Sequence, residues 1–113
     1  MNIGQIAKMA QQVQAQMAQI QEELRETTLE ATAGGGAVRV VISGAQEVRV
    51  LEIDPSAVDP AEVEMLQDLV LTAVNDAISR SKALERERMA AVAGGLGMPG
   101  LPGFGPSIPP PIR

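Results

Sequence analysis

The densest group of side chains capable of catalysis is a set of four carboxylates, Asp54, Asp59, Glu62 and Glu64. Two neighbouring carboxylates could hold Mg²⁺ or act as an acid and a base. The chain has no His, Cys, Tyr or Trp, so it lacks the usual general bases, thiol nucleophiles and soft metal ligands. Asp54 and Asp59 each precede a proline, and Glu62 lies where an acid stabilises a helix N-terminus. We therefore interpret these acids as caps, and we predict no enzymatic activity, metal, cofactor or small-molecule substrate.

A second group of chemically capable side chains is cationic. It consists of Arg80, Lys82, Arg86 and Arg88, accompanied by Glu85 and Glu87. On a helix these residues could simply form a solvated face, with ion pairs such as Lys82 with Glu85. They could also bind phosphates. We favour phosphate binding because the group follows the apolar part of a predicted helix and has no core to serve.

The total charge of the chain does not decide between these two interpretations. The net charge is −5, which is the wrong sign for a general nucleic-acid binder. Residues 46–78, however, contain eight acids and one base, a net charge of −7. The remainder of the chain is therefore slightly positive, and binding to DNA is not excluded.

Length and composition predict a single small domain. The chain has 113 residues, and its only aromatic residue is Phe104, so the core must be aliphatic. A core of that size favours dimerisation as a source of further burial. The absence of Cys fits a reducing compartment, and no stretch resembles a signal peptide or a membrane span. We expect a soluble, cytoplasmic protein without a membrane partner.

Residues 2–27 are predicted to form a long first helix, weakly capped by Asn2 with Gln5. Its apolar positions alternate in steps of three and four residues, and they are Ile3, Ile6, Ala10, Val13, Met17, Ile20 and Leu24. This heptad spacing is typical of a coiled coil, in which a helix pairs with one partner helix. A helix of about 39 Å is too long for one small core. We expect it to pack along the second helix and partly to project.

Three strands are predicted next, at residues 27–33, 37–43 and 47–53. Gly34, Gly35 and Gly36 could suggest a phosphate loop, but a strand follows them where that loop requires Lys, Ser or Thr and a helix. A hairpin turn is the better interpretation, and it gives a three-stranded antiparallel meander.

Alternation within each strand predicts which residues share a face of the sheet. Val38, Val40 and Ile42 are expected on one face, and Val48 and Val50 share a face of the third strand. The second face of the sheet is expected to carry Val41, Leu51 and Ile53 among two arginines. That face is too apolar to remain in water, so we expect a second subunit to cover it.

The second predicted helix runs from Asp59 to about Val92. It opens with Asp59, Pro60 and Glu62, a cap, a first-turn proline and a capping-box acid. Its apolar stripe comprises Val63, Leu66, Leu69, Val70, Ala73, Val74, Ala77 and Ile78. Residues 94–113 contain six Gly and six Pro, and we predict that this segment is disordered.

Several motifs in combination resemble the YbaB/EbfC family of bacterial nucleoid-associated proteins. They are residues 34–36 with Val38, Ile53-Asp54-Pro55, Asp59-Pro60, residues 63–69, residues 74–77 and residues 94–100, with the Gln-rich first helix and Lys8. The resemblance implies a homodimer whose sheets join at the centre while its helices project as a pair of tweezers. It also implies DNA binding, DNA compaction, effects on gene expression and a place in the nucleoid. It leaves open whether the second helix is continuous or divided in two.

The expectation is thus an α+β domain over residues 1–93, with a tail over residues 94–113. Its partners would be double-stranded DNA and a second copy of the chain. The DNA-binding residues would be chiefly Arg80, Lys82, Arg86 and Arg88, with Lys8 and Arg25 contributing less. Without aromatic side chains on either helix, duplex is favoured over single strands, and sequence preference should be weak.

A second function remains open on the sequence alone. The heptad spacing and the Gln-rich surface of the first helix would equally suit a protein-interaction module that grips a partner protein between paired helical arms. Acidic residues 46–78 would then repel nucleic acid.

Overall fold

Two long helices and a three-stranded sheet make up the computed structural model, which describes residues 2–95. In chain order the elements are α1 (Ile3–Glu26), β1 (Thr28–Ala33), β2 (Val38–Ser43), β3 (Val48–Ile53) and α2 (Val63–Gly95). The predicted α+β architecture is confirmed. The described chain is elongated, at 69 × 34 × 16 Å. The disordered tail was predicted from residue 94, but Gly94 and Gly95 belong to α2. From residue 96 onward, the predicted tail lies outside the described residues.

Both ends of α1 are capped by the side chains that its sequence supplies. At the start, Gln5 N donates to Asn2 Oδ1 at 2.8 Å, and the Gln5 side chain accepts from Asn2 N, which completes the predicted capping box. At the end, the Thr27 hydroxyl donates to the Glu23 carbonyl at 2.8 Å. The 24 residues between these caps give a helix about 36 Å long.

The sheet is an antiparallel meander in the order β1-β2-β3. Gly34, Gly35 and Gly36 connect β1 to β2 with φ angles of 66°, 68° and 98°, a left-handed conformation that side chains disfavour. The predicted hairpin turn is therefore confirmed. The turn between β2 and β3 places Gln46 in the same region, with φ of 62°.

The pairing of β2 with β3 corrects our assignment of the sheet faces. Leu51 lies opposite Val40, and Ile53 lies opposite Val38, so both share the face that packs on α2. A register shift between Val41 and Ile42 inserts one extra β3 residue, and Val48 then joins the same face whereas Val50 does not. Alternation alone could show neither the register nor this bulge.

The other face of the sheet is largely polar rather than apolar. Arg39 donates to Glu30 and, at 2.7 Å, to Glu52, so this ion-paired group links all three strands. These hydrogen bonds raise the pKa of Arg39 above its ordinary value. Among the described residues the apolar side chains of this face are Val41 and Val50, and Val50 is 38% exposed. The face therefore does not carry the apolar surface that we expected a second subunit to cover.

Packing of α2 over β1 and β2 forms the core. The buried apolar side chains at this contact are Ala31, Ala33, Val38, Val40, Ile42, Ala73 and Ala77. Because alanines from both layers meet here, the helix can approach the sheet closely. The predicted stripe on α2 is confirmed from Leu66 to Ile78, whereas Val63 is 48% exposed.

The segment that leads into α2 begins with two 3₁₀ turns, Pro55–Ala57 and Pro60–Glu62. Asp54 accepts from Ser56 N at 2.9 Å, and Asp59 accepts from Ala61 N at 2.9 Å, so both carboxylates act as caps. The hydrogen bonds from Ser56 lower the pKa of Asp54 below its ordinary value of 3.8. Our prediction that the α-helix begins at Asp59 was wrong by one 3₁₀ turn. From Val63 to Gly95 the helix is continuous, which answers the open question of a break.

A small polar cluster joins α2 to the turn between β2 and β3. The buried Ser81 hydroxyl donates to the Ser43 carbonyl at 2.7 Å and accepts from Gln46 N at 3.2 Å and Gln46 Nε2 at 3.0 Å. Leu24 of α1 is fully buried beside the same turn. Ser81 was not among the predicted residues of the stripe, although it lies one helical turn beyond Ala77 on the same face.

Replacing Ser81 by Ala should destabilise the fold by about 1–2 kcal/mol, because both Gln46 donors and the Ser43 carbonyl lose a partner. The measurement is urea unfolding followed by circular dichroism. Ser79→Ala, at an exposed position on the same helix, is the matched control and should change stability by less than about 0.5 kcal/mol. Equal stability of the two variants would contradict a structural role for the cluster.

Candidate nucleic-acid interface

Beyond the sheet, the two helices run side by side in opposite directions. Gln21 Nε2 lies 3.5 Å from Glu85 Oε2, and further out Gln16 and Gln19 line a shallow groove with Ala91. We call this part the helical arm, defined as residues 3–23 of α1 and 82–95 of α2. As predicted, α1 packs partly along α2 and partly projects.

The arm begins where the core ends. Ser81 is the last fully buried side chain in the described part of α2, and the residues that follow are half-buried or exposed. Side chains on this part of α2 are therefore free to serve contacts outside the domain. Three of the four predicted cations, Lys82, Arg86 and Arg88, lie in this segment, and Arg80 comes directly before Ser81.

Two of these cations lie together on the outer side of α2. Lys82 and Arg86 are one helical turn apart, so they share a face, and both are exposed. Neither forms an ion pair with any acid of residues 2–95. The ion pair of Lys82 with Glu85 that we considered is not formed, because Glu85 faces Gln21 of α1. Lys82 and Arg86 therefore present two unneutralised charges to the solvent.

The other two cations of this group have different surroundings. Arg80 donates from Nε to Asp76 Oδ2 at 3.0 Å, so its charge is largely balanced within α2. Arg88 lies seven residues, or two helical turns, after Ser81, so both are on the side of α2 that is directed toward α1. The side chain of Arg88 is half-buried in the groove, which Glu23 also lines. The structure thus separates four cations that the sequence placed in one group.

The candidates on α1 also differ from one another. Arg25 pairs with Glu22 at 2.6 Å, close to the sheet. Lys8 lies on the projecting half of the helix, exposed beside Gln5 and Gln12, and it forms no ion pair with the acids of residues 2–95. Of the six predicted DNA-binding residues, Lys8, Lys82, Arg86 and Arg88 form no ion pair with the acids of residues 2–95. Lys8, Lys82 and Arg86 are the exposed ones among these four, whereas Arg88 is half-buried.

The groove of the arm adds amides that the sequence analysis did not single out. Gln16 and Gln19 lie three residues apart and face Arg88. Amides can donate hydrogen bonds to phosphate oxygens as well as to base edges. The signal in the sequence was the spacing of these Gln residues beside the heptad seam.

Residues 1–96, which include both helices and the sheet, match the YbaB/EbfC DNA-binding family. The chain belongs to this family. YbaB/EbfC proteins are DNA-binding proteins rather than a family of enzymes.

Similar proteins from several bacteria share most of the length of this YbaB/EbfC chain. A nucleoid-associated protein of Chloroflexus aurantiacus is 52% identical over 96 residues, covering 85% of this chain and 96% of its own. A nucleoid-associated protein of Nocardia farcinica is 50% identical over 103 residues, covering 91% of this chain and 94% of its own. The crystal structure of an uncharacterized protein from Helicobacter pylori superposes with a TM-score of 0.70 at 28% identity, covering 86% of this chain and 99% of that protein.

A YbaB/EbfC chain of net charge −5 must keep its acids away from DNA. One group of acids precedes α2 or lies in its first turn, and Glu64 is the last of this group. Glu64 is eighteen residues before Lys82, so the two residues lie about 27 Å apart along the helix. The Debye length is about 10 Å in 0.1 M salt, so these acids are screened from the arm. Glu87 follows Arg86 directly and projects about 100° away around the helix. The face of Lys82 and Arg86 therefore keeps a local positive charge, although the arm as a whole contains four bases and four acids.

Neither helix of residues 2–95 contains a stretch that is long and apolar enough to span a membrane.

Proposed function

We propose that this protein binds duplex DNA as a homodimer with weak sequence preference, compacts DNA in the nucleoid and thereby influences gene expression. The observation that carries the proposal is that Lys82 and Arg86 are exposed and form no ion pair with residues 2–95, on an arm of a YbaB/EbfC fold. The relatives from Chloroflexus and Nocardia are named nucleoid-associated proteins, which supports the same location for this chain.

Phosphate oxygens are the expected targets of the arm. Lys82 and Arg86 would bind them directly, and Lys8 would add a contact from α1. Arg80 could exchange Asp76 for a phosphate, because an exposed i,i+4 ion pair is worth only about 0.3–0.5 kcal/mol. Arg88 and Arg25 would contribute less, since Arg88 is half-buried and Arg25 is paired. Contacts of this kind hold DNA without reading its sequence.

Duplex should be preferred over single strands. Residues 2–95 include no aromatic side chain, so the arm offers no surface on which unpaired bases could stack. Binding that depends on phosphates releases counterions, and it should therefore weaken steeply as salt is raised.

An unpaired edge of the sheet supports the homodimer. β3 is an edge strand. On the other two strands, β1 and β2, the core face of the sheet is covered by α2. On β3 the side chains of the same face, Val48 and Leu51, are 43% and 48% exposed. Pairing β3 with β3 of a second copy would join two sheets into one and would bring a second α2 near these side chains. Exposed Leu71 on α2 provides further apolar surface.

Replacing Leu51 by Glu should weaken the homodimer at least about tenfold, because a charge would enter an apolar contact between copies. The monomer should still fold, since Leu51 is half exposed within one chain. Sedimentation equilibrium distinguishes one 11.8 kDa chain from two. Thr32→Glu, at an exposed position on β1, is the control and should remain dimeric. A wild-type chain that sediments as a monomer at micromolar concentration would exclude this dimer.

Gel shifts on long duplex DNA at two salt concentrations test the function itself. We expect a shift at low salt that weakens at least about tenfold in moderate salt, and little competition from unlabelled single strands. No shift at low salt by the folded wild-type protein would refute the proposal.

The groove of the arm favours one other function. Its floor includes Ile20, Ala91 and Val92, apolar side chains that could hold a segment of a partner protein. Pull-down from nuclease-treated lysate separates the two functions. Partners that persist after nuclease support protein binding, whereas partners that disappear support DNA.

A further inference from the structure

We propose that Lys82 is an acylation site for acyl phosphates, such as acetyl phosphate, and that its modification weakens the binding of duplex DNA. In this reaction the deprotonated Lys82 amine forms an amide bond with the acyl carbon. The bond between that carbon and the phosphate oxygen breaks, inorganic phosphate leaves, and the amine proton passes to water. The site is argued from the side chains of α2, and its effect on DNA rests on the proposed DNA binding.

The chain divides its cations by residue type. Lys8 and Lys82 are its only lysines, and both lie on the helical arm. Every ion pair between residues 2–95 is instead formed by an arginine, and these arginines are Arg25, Arg39, Arg49 and Arg80. Acyl donors modify lysine amines, whereas guanidinium groups remain protonated. Acylation of side chains would therefore change the arm and leave the ion pairs of the sheet intact.

The Lys82 amine is not shielded by a carboxylate of the same helix face. Its neighbours one helical turn away are Ile78, Ser79, Glu85 and Arg86. Glu85, the acid among them, is half-buried, and its Oε2 lies 3.5 Å from Gln21 Nε2 of α1. Lys82 itself is exposed and forms no ion pair with the acids of residues 2–95. An acyl donor can therefore reach this amine from solution.

Arg86 is placed to hold the donor. Residues four apart on a helix have Cβ atoms about 5–6 Å apart, so the side chains of Lys82 and Arg86 can reach one small anion. A guanidinium binds phosphate through two parallel N–H donors. In an acyl phosphate a single bridging oxygen separates phosphorus from the acyl carbon. A phosphate bound by Arg86 would thus bring the acyl carbon beside the Lys82 amine and favour its attack.

Lys8 provides a comparison within the same chain. It is also exposed on the arm, and it forms no ion pair with the acids of residues 2–95. Its neighbours one turn away carry no charge, and they are Gly4, Gln5, Gln11 and Gln12. An acyl phosphate would find no second cation there. Acyl phosphates should therefore prefer Lys82 to Lys8, whereas a donor without phosphate should not distinguish them.

Acylation would remove a charge without disturbing the core. Lys82 follows Ser81, the last fully buried side chain in the described part of α2, and an acetyl group on Lys82 would lie in solvent. A homodimer would lose two cations, so the salt slope of DNA binding should fall by about 1.8 if each lysine binds one phosphate. Bound DNA would in turn occupy Arg86 and cover the amine, so duplex should protect Lys82 from acylation.

Acetylation rates of the full chain test the site. Mass spectrometry of peptides after incubation with acetyl phosphate should show Lys82 modified at least about fivefold faster than Lys8. Arg86→Ala should abolish this preference. Arg88→Ala, which removes the same charge from the side of α2 that is directed toward α1, is the matched control and should retain it.

An uncharged donor separates phosphate binding from the intrinsic reactivity of the amines. Phenyl acetate should modify Lys82 and Lys8 at rates within about twofold of each other. Equal rates with acetyl phosphate would overturn the proposal. A preference for Lys82 that persists in Arg86→Ala, or that phenyl acetate shows as well, would also overturn it.

Fluorescence anisotropy with labelled duplex, before and after acetyl phosphate treatment, tests the effect on DNA binding. Wild-type protein should lose affinity by about tenfold once Lys82 is modified. Lys82→Arg has no amine at this position, so its own affinity should change by less than about twofold on treatment. Equal losses in the two proteins would overturn the effect of Lys82 on DNA. Wild-type protein that binds no duplex before treatment would instead refute DNA binding, and the acetylation rates would still decide the site.

Discussion

Replacing Lys82 and Arg86 together by Ala should lower the affinity for duplex DNA by at least about a hundredfold at low salt. A homodimer would lose four cations, and each phosphate contact contributes a slope of about 0.9 to the dependence of log affinity on log salt. The salt slope should therefore fall by roughly 3 to 4 if each side chain binds one phosphate. Fluorescence anisotropy with labelled duplex at several salt concentrations measures both quantities.

The matched control removes the same charge from cations that are already paired. Arg25→Ala with Arg80→Ala eliminates side chains held by Glu22 and Asp76, and it should weaken binding by no more than about tenfold. Both double variants should retain the fold, since all four side chains are exposed. If the two double variants lost affinity equally, net charge rather than the face of Lys82 and Arg86 would govern binding. Unchanged binding by the Lys82 and Arg86 variant would remove the residue assignment.

Replacing Gly44 by Ala should destabilise the protein by about 2–3 kcal/mol. A Cβ at this position would lie 2.9 Å from the Leu24 carbonyl oxygen and 2.8 Å from Leu24 Cδ2. The backbone cannot yield freely, because Gly44 N donates to the carbonyls of Leu24 and Thr27 at 2.8 and 2.9 Å. Overpacking of this kind costs about 1–3 kcal/mol, and the shifted backbone would weaken these hydrogen bonds as well.

Thermal unfolding measures the effect, which for a domain of this size corresponds to a lower Tm by roughly 10 °C or more. Gly94→Ala is the control, since a Cβ there meets nothing within 4 Å and Ala favours a helix. Its Tm should be unchanged or slightly higher. Because Gly44 holds the end of α1 against the sheet, Gly44→Ala should also loosen the base of the arm. A Tm equal to that of the wild type would contradict the close contact.

The elements themselves were predictable because their signals are local. Asn2 and Gln5 lie three residues apart and form the capping box, and residues 34–36 supply the left-handed turn. The stripe from Leu66 to Ile78 repeats with the helical period, and it packs on the sheet as predicted. Each of these features depends on neighbours within a few residues.

The faces of β3 were not predictable from alternation. Leu51 and Ile53 share the face of Val40 because of the register between strands, and Val48 and Val50 separate because of a bulge. Register and bulges depend on how two strands meet, which no single strand contains. The exposed apolar surface consequently lies on β3 rather than on the opposite face of the sheet.

The cationic group, too, was predictable only in part. Spacing along α2 already placed Lys82 and Arg86 on one face, but pairing of Arg80 with Asp76 and the turn of Arg88 toward α1 required the positions of both helices. The sequence alone determined the helices, the turns, the aliphatic core and the family resemblance, since these follow from local conformational preference and periodic burial. Only the tertiary structure decided which cations remain unpaired and which half of the heptad seam stays exposed. Both outcomes depend on where α2 lies against α1, and that placement is set by packing between distant residues at Leu24, Gly44 and Ser81.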